Sequence, residues 1–322
     1  MKIIRRLLLT GAAALLVISW AGAWGFWGHQ RITRIAVFTL PPEMTGFYKE
    51  NLEYVTAHAV DPDKRRYSDP AEAPRHYIDI DHYGAYPFTR VPRHWKAALD
   101  SLGEDTLQAY GILPWYANLE MIRLTEAFQA KNKWKILRLS CDLAHYIEDA
   151  HVPLHCSENH DGQRSGQNGI HAFWESRVPE LFGEQYDYFV GKAVYLEHPQ
   201  NKIWEIVLES AAQVDTVLSL EKALSLQFGE KKYAFEPRGN AMVRVYSKEF
   251  SAAYQQALQH MQERKIRESI LDVGSFWYTA WVNAGKPDLG TLQDTRPSAS
   301  DSLELNHMEQ QWKLGNIKGR EE

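Results

Sequence analysis

Residues 133–155 read KWKILRLSCDLAHYIEDAHVPLH and join a helical pattern to a group of polar side chains. Apolar residues recur there three or four positions apart, at Ile136, Leu139, Leu143 and Ile147. This spacing is typical of one face of an amphipathic helix. The pattern therefore predicts a helix over residues 133–149 whose apolar face packs against a core.

Polar residues at the end of this helix lie on a common face. His145 and Asp149 are four residues apart, so their side chains project in the same direction. Pro153 ends the helix and turns the chain, which allows His155 to return toward the same region. We therefore expect an imidazole and carboxylate cluster at this helix end.

A second pair with the same spacing follows at His171 and Glu175. Imidazole and carboxylate groups are ligands that zinc accepts. A single pair occurs by chance in many helices, whereas two pairs joined by another histidine favour a metal site. A polar network at a helix junction is the alternative explanation of the same residues.

The remaining sequence also indicates an all-α protein. Two segments are irregular: residues 60–105, rich in Asp, Pro, Arg and Tyr, and residues 150–170. A long loop inside a compact domain usually has a function. No internal repeat or persistent strand pattern is present. The further predicted helices cover residues 30–39, 43–58, 106–130, 171–182, 201–225, 240–262 and 265–284.

The N-terminal residues 1–23 have the features of a secretory signal peptide. Three basic residues precede an apolar run over residues 7–20, and Ala21-Gly22-Ala23 supplies small residues at a cleavage site. A membrane anchor is the alternative, but the run is short for a span. We expect cleavage after Ala23 and export to a periplasm or out of the cell, without stable membrane insertion.

Composition restricts the possible functions further. Loss of the three basic residues of the signal would make the formal net charge of −5 more negative still. An acidic protein does not grip nucleic acid through a basic face, although bound zinc ions would return positive charge locally. The two cysteines, Cys141 and Cys156, favour buried thiols or one disulfide; a metal-ligand role for Cys156 is the alternative.

The histidine-rich region resembles the zinc-dependent single-strand nuclease (S-one and P-one type) and phospholipase C superfamily. Asp61 and His76 match a further family pair that is 15 residues apart, and the resemblance extends from Trp24 to about Val282. The residues that carry it are His145-x-x-x-Asp149-x-His151-x-Pro153-Leu154-His155, Asn168-Gly169-Ile170-His171-x-x-Trp174-Glu175, and Trp24-Gly25-Phe26-Trp27-Gly28-His29.

The resemblance implies a single-domain helical bundle over residues 24–285, with long ordered loops around a cleft that holds three Zn²⁺ ions. Residues 286–322 are polar and would form a loosely ordered tail. By family analogy, Asp61, His76 and His145 hold the first zinc and His155, His171 and Glu175 hold the second. Trp24, through its amino nitrogen and carbonyl oxygen, holds the third with His29, and Asp149 bridges the first and third.

The same resemblance implies hydrolysis of a phosphodiester by a metal-bound hydroxide beside Asp149, leaving 5′-phosphate ends. Asp61 and Asp149 would be catalytic as metal ligands. Lys64 would face the phosphate where the nuclease branch has an arginine three residues after the first aspartate ligand. Lysine lacks the bidentate fork of arginine, so Arg65 or Arg66 is an alternative contact.

Tyr77 and Asp79 favour a nuclease over a phospholipase C. They match a stacking aromatic and a base-binding aspartate, and single-stranded nucleic acid or nucleotides would be the substrate. Alternatively, Tyr77 is packed and Asp79 orients a histidine ligand. Other open functions are phospholipid hydrolysis and non-catalytic zinc binding outside the cell. Residues 83–95 have no family counterpart and would either roof the site or decorate the surface.

The expected role of Trp24 yields a test. An α-amino group has a pKa of about 7.7–8.0, so zinc can displace its proton near neutral pH, whereas an amide nitrogen in the precursor cannot serve in this way. A Met-initiated, uncleaved form should therefore lack the third metal and be nearly inactive. Metal counting and an activity assay on both forms check this, and full activity of the uncleaved form would remove Trp24 from the ligand set.

Overall fold

Helices dominate the computed structural model, which describes residues 25–238, 241–292 and 295–320; the expected signal peptide and Trp24 lie outside the described residues. The helices are α1 (Gly25–Ala36), α2 (Pro42–Glu50), α3 (Leu52–His58), α4 (Asp61–Arg65), α5 (Trp95–Leu102), α6 (Glu104–Tyr110), α7 (Leu113–Gln129), α8 (Lys133–Ala150), α9 (Ile170–Ala172), α10 (Val178–Phe182), α11 (Pro199–Ala211), α12 (Val214–Phe228), α13 (Lys248–Ala257), α14 (Met261–Asn283) and α15 (Ala299–Leu314). The strands are β1 (Tyr233–Arg238) and β2 (Ala241–Tyr246). The all-α, single-domain prediction is confirmed.

The core lies where α1, α7, α8 and α14 pack together. Trp277 of α14 stacks on Tyr48 of α2, with ring centroids 4.8 Å apart. Both side chains also bond Ser140 of α8: the indole N–H donates to its carbonyl oxygen at 3.0 Å, and the phenol lies 2.8 Å from its hydroxyl. These aromatic residues therefore join three helices while their polar atoms keep hydrogen-bond partners.

Helix α8 runs through the interior. Asn132 caps its first turn by accepting a hydrogen bond from the Lys135 amide at 3.0 Å. From Ser140 to Ala150 every residue is buried, including His145 and Asp149. A helix buried on all sides cannot leave polar side chains to water, so each of them needs a partner inside the protein.

Three regions differ from the sequence-based expectation. Residues 240–262 were expected to be one helix, but β1 and β2 form an antiparallel hairpin that pairs Tyr233 with Tyr246, and α13 begins only at Lys248. The expected loosely ordered tail instead contains α15, which begins with a capping box between Ser298 and Asp301 and packs against α4. The expected loop over residues 60–105 contains the short helices α4 and α5.

Residues 83–95 pack against the helical core. Trp95 lies edge-on to Trp115 of α7. Arg93 stacks over Trp204 of α11 at 4.3 Å, and the Arg93 carbonyl oxygen accepts a hydrogen bond from the Trp204 indole at 3.3 Å. These contacts attach the segment to α7 and α11.

The cysteines are buried free thiols rather than a disulfide. The thiol of Cys156 donates to the Val152 carbonyl oxygen at 3.8 Å, and burial raises its pKa. A protonated thiol is a poor metal ligand. Among the described helices, none combines the length and apolar character that a bilayer crossing requires.

The packing of α7 predicts a clear contrast between two leucines. Leu124 is fully buried in α7, whereas Leu303 of α15 is 71% exposed. Leu124→Ala should lower the free energy of unfolding by about 2–5 kcal/mol because it leaves a cavity. Leu303→Ala is the matched control and should change it by less than about 0.5 kcal/mol. Urea unfolding of both variants measures this, and equal effects would contradict the position of α7 in the core.

Candidate metal centre

The last turn of α8 places His145 and Asp149 side by side inside the protein. Both are fully buried. The Nδ1 atom of His145 donates to the Ala59 carbonyl oxygen at 2.9 Å, which leaves Nε2 as the unprotonated nitrogen. That Nε2 atom lies 3.4 Å from Asp149 Oδ2. The four-residue spacing thus produces the predicted convergence of imidazole and carboxylate.

Asp63, His76 and His145 form one group whose ligand atoms lie within 4.8 Å of one another. Asp63 Oδ1 is 3.9 Å from His76 Nδ1 and 3.7 Å from His145 Nε2. The second carboxylate oxygen of Asp149 also approaches this group, at 2.9 Å from His76 Nδ1. Two imidazoles and two carboxylates therefore converge on a single position.

Asp63 takes the place that the sequence assigned to Asp61. Both carboxylates lie in the short helix α4, but Asp61 is held by His58, whose Nδ1 is 2.6 Å from its Oδ2. Lys64 Nζ is a further neighbour at 3.5 Å. Two carboxylates separated by one residue cannot point the same way on a helix, and it is Asp63 that lies with His76 and His145. The expectation that Asp61 is a metal ligand stays a prediction.

Asp149 also faces a second group, made with His29 and His145. Its Oδ1 atom lies 3.6 Å from His29 Nε2. The other nitrogen of His29 bonds Glu148, which in turn accepts a hydrogen bond from the Thr33 hydroxyl at 2.8 Å. The carboxylate of Asp149 thus points one oxygen toward each group, as expected of a bridge, and Glu148 is buried behind His29.

His155, His171 and Glu175 form a third group. Glu175 Oε2 lies 3.1 Å from His171 Nε2 and 3.4 Å from His155 Nε2. The Nδ1 atom of His155 donates to the His76 carbonyl oxygen at 2.6 Å, which turns Nε2 toward Glu175. These are the three residues that the sequence assigned to a common metal site.

The local fold around His171 is specialised for this placement. Asp161 accepts hydrogen bonds from the backbone amides of Gly169 and His171, which fixes the start of α9. Glu175 then lies in a π-helical turn, Phe173–Arg177. Such turns are rare and are frequent at functional sites, since they re-aim a side chain within a helix.

A buried ionic network contacts Nε2 of His76, the ring nitrogen that faces away from Asp149. Glu72 Oε1 lies 3.5 Å from His76 Nε2 and also accepts a hydrogen bond from the Tyr146 hydroxyl. Arg65 donates to the other oxygen of Glu72 at 3.0 Å. Burial opposes ionisation of Glu72, but Arg65 and His76 outweigh it and lower its pKa. Glu72 therefore remains charged and fixes the orientation of the His76 ring.

Protonation in the centre matches what a cation requires. Burial, with the neighbouring His29 and His76, lowers the pKa of His145 well below its usual value, so the ring is neutral. Burial would raise the pKa of Glu175, but His171 and His155 lower it to about 2. A neutral His145 and an ionised Glu175 are the protonation states in which these side chains bind a divalent metal.

The residues that were expected to contact substrate meet the C-terminal segment (residues 299–320). The guanidinium of Arg320 stacks on Tyr77 at 3.4 Å and donates to both oxygens of Asp79 at 2.8 Å. Lys64 pairs with Glu309 at 2.8 Å rather than with the metal-ligand groups. Arg320 thus contacts both Tyr77 and Asp79, whose role in substrate binding stays a prediction.

No family model matches the chain, and no curated protein matches it. The described residues nevertheless provide three buried groups of histidine and carboxylate side chains that could hold metal ions. Sequence reasoning missed Asp63. Its signal was the Asp61-Pro62-Asp63 repeat, which offers two candidate carboxylates at nearly the same spacing from His76.

Two matched variants test whether Asp63 or Asp61 is the metal ligand. Asp63→Asn should lose about one bound metal ion per chain, because an amide is a weaker ligand than a carboxylate. Asp61→Asn alters a neighbouring carboxylate outside the three groups and should keep the full count. Elemental analysis after dialysis measures both, and a loss in Asp61→Asn alone would restore the first assignment.

Proposed function

We propose that the chain is an exported, zinc-dependent phosphodiesterase that hydrolyses single-stranded DNA or RNA and leaves 5′-phosphate ends. The observation that carries this proposal is the position of Asp149, whose two oxygens face two different groups of histidines. A carboxylate shared in this way is suited to hold two metal ions close together. The export signal in residues 1–23 supports a role outside the cytoplasm.

Three zinc ions would be held by residues from four parts of the chain. The first site would take Asp63, His76 and His145, and the second His155, His171 and Glu175. The third would take His29 and, by the family resemblance, Trp24, with Asp149 shared between the first and third. Buried imidazole and carboxylate donors without thiolates fit zinc well.

The chemistry of such a centre divides between metal and protein. Bound zinc lowers the pKa of a coordinated water to about 7 and stabilises negative charge on phosphate oxygens. The protein supplies orientation: Glu72 fixes His76, Glu148 fixes His29, and the carbonyl oxygens of Ala59 and His76 fix His145 and His155. Ligands held from behind in this way keep their geometry when substrate binds.

The surroundings favour a nucleic acid substrate over a phospholipid. With Asp63 as the aspartate ligand, the residue three positions later is Arg66, which restores the arginine of the nuclease branch and its bidentate fork. Tyr77 offers an aromatic face for a base, and Asp79 offers a carboxylate for the donor groups on the base edge. A phosphocholine headgroup has no N–H groups for such a carboxylate.

Tyr77 is also positioned by close packing against Gly111. Its ring lies against Gly111, where an added Cβ would come within 2.5 Å of Tyr77 Cδ2. Gly111 has a φ of +89°, which side-chain-bearing residues rarely adopt. The absence of a side chain at residue 111 therefore leaves room for Tyr77, on whose ring the planar Arg320 guanidinium stacks.

A direct comparison of substrates tests the proposal. The zinc-loaded mature protein should cleave single-stranded DNA and RNA, and the products should carry 5′-phosphates. It should act more slowly on a soluble phosphatidylcholine analogue. Dialysis against a chelator should abolish turnover, and added zinc should restore it, because the nucleophile depends on the metal.

Other results of the same assay point to other functions. Cleavage of the lipid analogue alone would assign a phospholipase C activity. Stoichiometric zinc binding without turnover of any of the three substrates would indicate a non-catalytic zinc-binding protein.

A further inference from the structure

Arg320 lies where the proposed function places a base. Its guanidinium is planar, stacks on the Tyr77 ring at 3.4 Å, and donates to both Asp79 oxygens at 2.8 Å. A nucleobase would present the same features, namely a flat π-surface and N–H donors at its edge. The Arg320 guanidinium and a nucleobase therefore cannot occupy this position at the same time.

The backbone of the same residue occupies a second substrate contact. The Arg66 guanidinium donates to the Arg320 carbonyl oxygen. Lys318 attaches the same segment to residues 66–68. Its amide donates to the Arg66 carbonyl oxygen at 2.9 Å, and its Nζ donates to the Ser68 carbonyl oxygen at 3.0 Å. Arg320 alone thus places a planar donor group on Tyr77 and an oxygen acceptor on Arg66.

Helix α15 delivers these residues through contacts that are mostly polar. Glu309 pairs with Lys64 at 2.8 Å, and Trp312 lies under the Lys64 ammonium and beside Phe26. Met308 is the residue of α15 that is buried. Partly exposed ion pairs and a single buried side chain stabilise a docked helix only weakly. Detachment of α15 from the rest of the protein therefore costs little free energy.

We propose that the C-terminal segment (residues 299–320) is an internal competitor of substrate, in which Arg320 imitates a nucleotide by placing its guanidinium in the base position and its carbonyl oxygen on Arg66. This inference rests on the proposed function for the identity of the ligand. Nucleic acid must displace residues 315–320 to bind, so the apparent affinity equals the intrinsic affinity reduced by the fraction of open protein.

Two measurements on the mature, zinc-loaded full chain test this competition. One is the KM for a single-stranded DNA oligonucleotide, and the other is the Kd for adenosine 5′-monophosphate by calorimetry. A segment closed about nine-tenths of the time weakens both about tenfold. Arg320→Ala should therefore lower both constants up to about tenfold and leave kcat unchanged. The matched control is Arg296→Ala, an exposed arginine that precedes the same segment and should leave both constants unchanged.

The outcomes separate this inference from the proposed function. Active wild-type protein with equal KM and Kd in all three proteins would overturn the competition. If none of them cleaves nucleic acid, the proposed function fails, and the Kd for the mononucleotide alone decides the competition. Tighter binding by Arg320→Ala would then still support it, and unchanged or absent binding would overturn it.

Discussion

The Asp149 carboxylate is the junction on which the centre depends. Its oxygens lie 2.9 Å from His76 and 3.6 Å from His29, residues that are far apart in the sequence. Placing a charged group in the interior is unfavourable unless it is paired or bound to a metal. Helix α1 brings the His29 imidazole to this carboxylate, and the turn that follows residues 73–75 brings the His76 imidazole.

This constraint links the core to the proposed chemistry. Three of the inward histidines are fixed by a hydrogen bond from the other ring nitrogen: His29 to Glu148, His145 to the Ala59 carbonyl oxygen, and His155 to the His76 carbonyl oxygen. The tautomers are thus set by the fold before any ion binds. Tyr77, Asp79 and Arg66 instead contact Arg320 of the C-terminal segment. Under the proposed function, this segment would be exchanged for substrate while the interior keeps its metal ligands in place.

Local periodicity explains what could be predicted from sequence. His145 and Asp149 are separated by about one helical turn, so their convergence followed from spacing alone. His171 and Glu175 have the same spacing, and the π-helical turn Phe173–Arg177 also sets the direction of Glu175. Asp63 could not be distinguished from Asp61 in this way, because α4 is only five residues long and its orientation is set by packing against α8. The second carboxylate there is taken by His58, a contact that no local pattern encodes.

The C-terminal segment and the hairpin show a different limit. Residues 299–314 are polar enough to suggest a disordered tail, yet Ser298 and Asp301 cap a helix and ion pairs dock it. The strands at residues 233–246 are largely exposed, so they lack the alternation that marks a half-buried strand. In both cases long-range contacts, rather than the local sequence pattern, decide the structure.

Anomalous X-ray diffraction at the zinc edge, from crystals of the mature protein grown with zinc, tests the central claim most directly. Three peaks are expected: one between Asp63, His76 and His145, one between His155, His171 and Glu175, and one beside His29, with Asp149 touching the first and third at roughly 2.0–2.2 Å. A structure with zinc in the crystal but no peak within bonding distance of Asp149 would contradict the account.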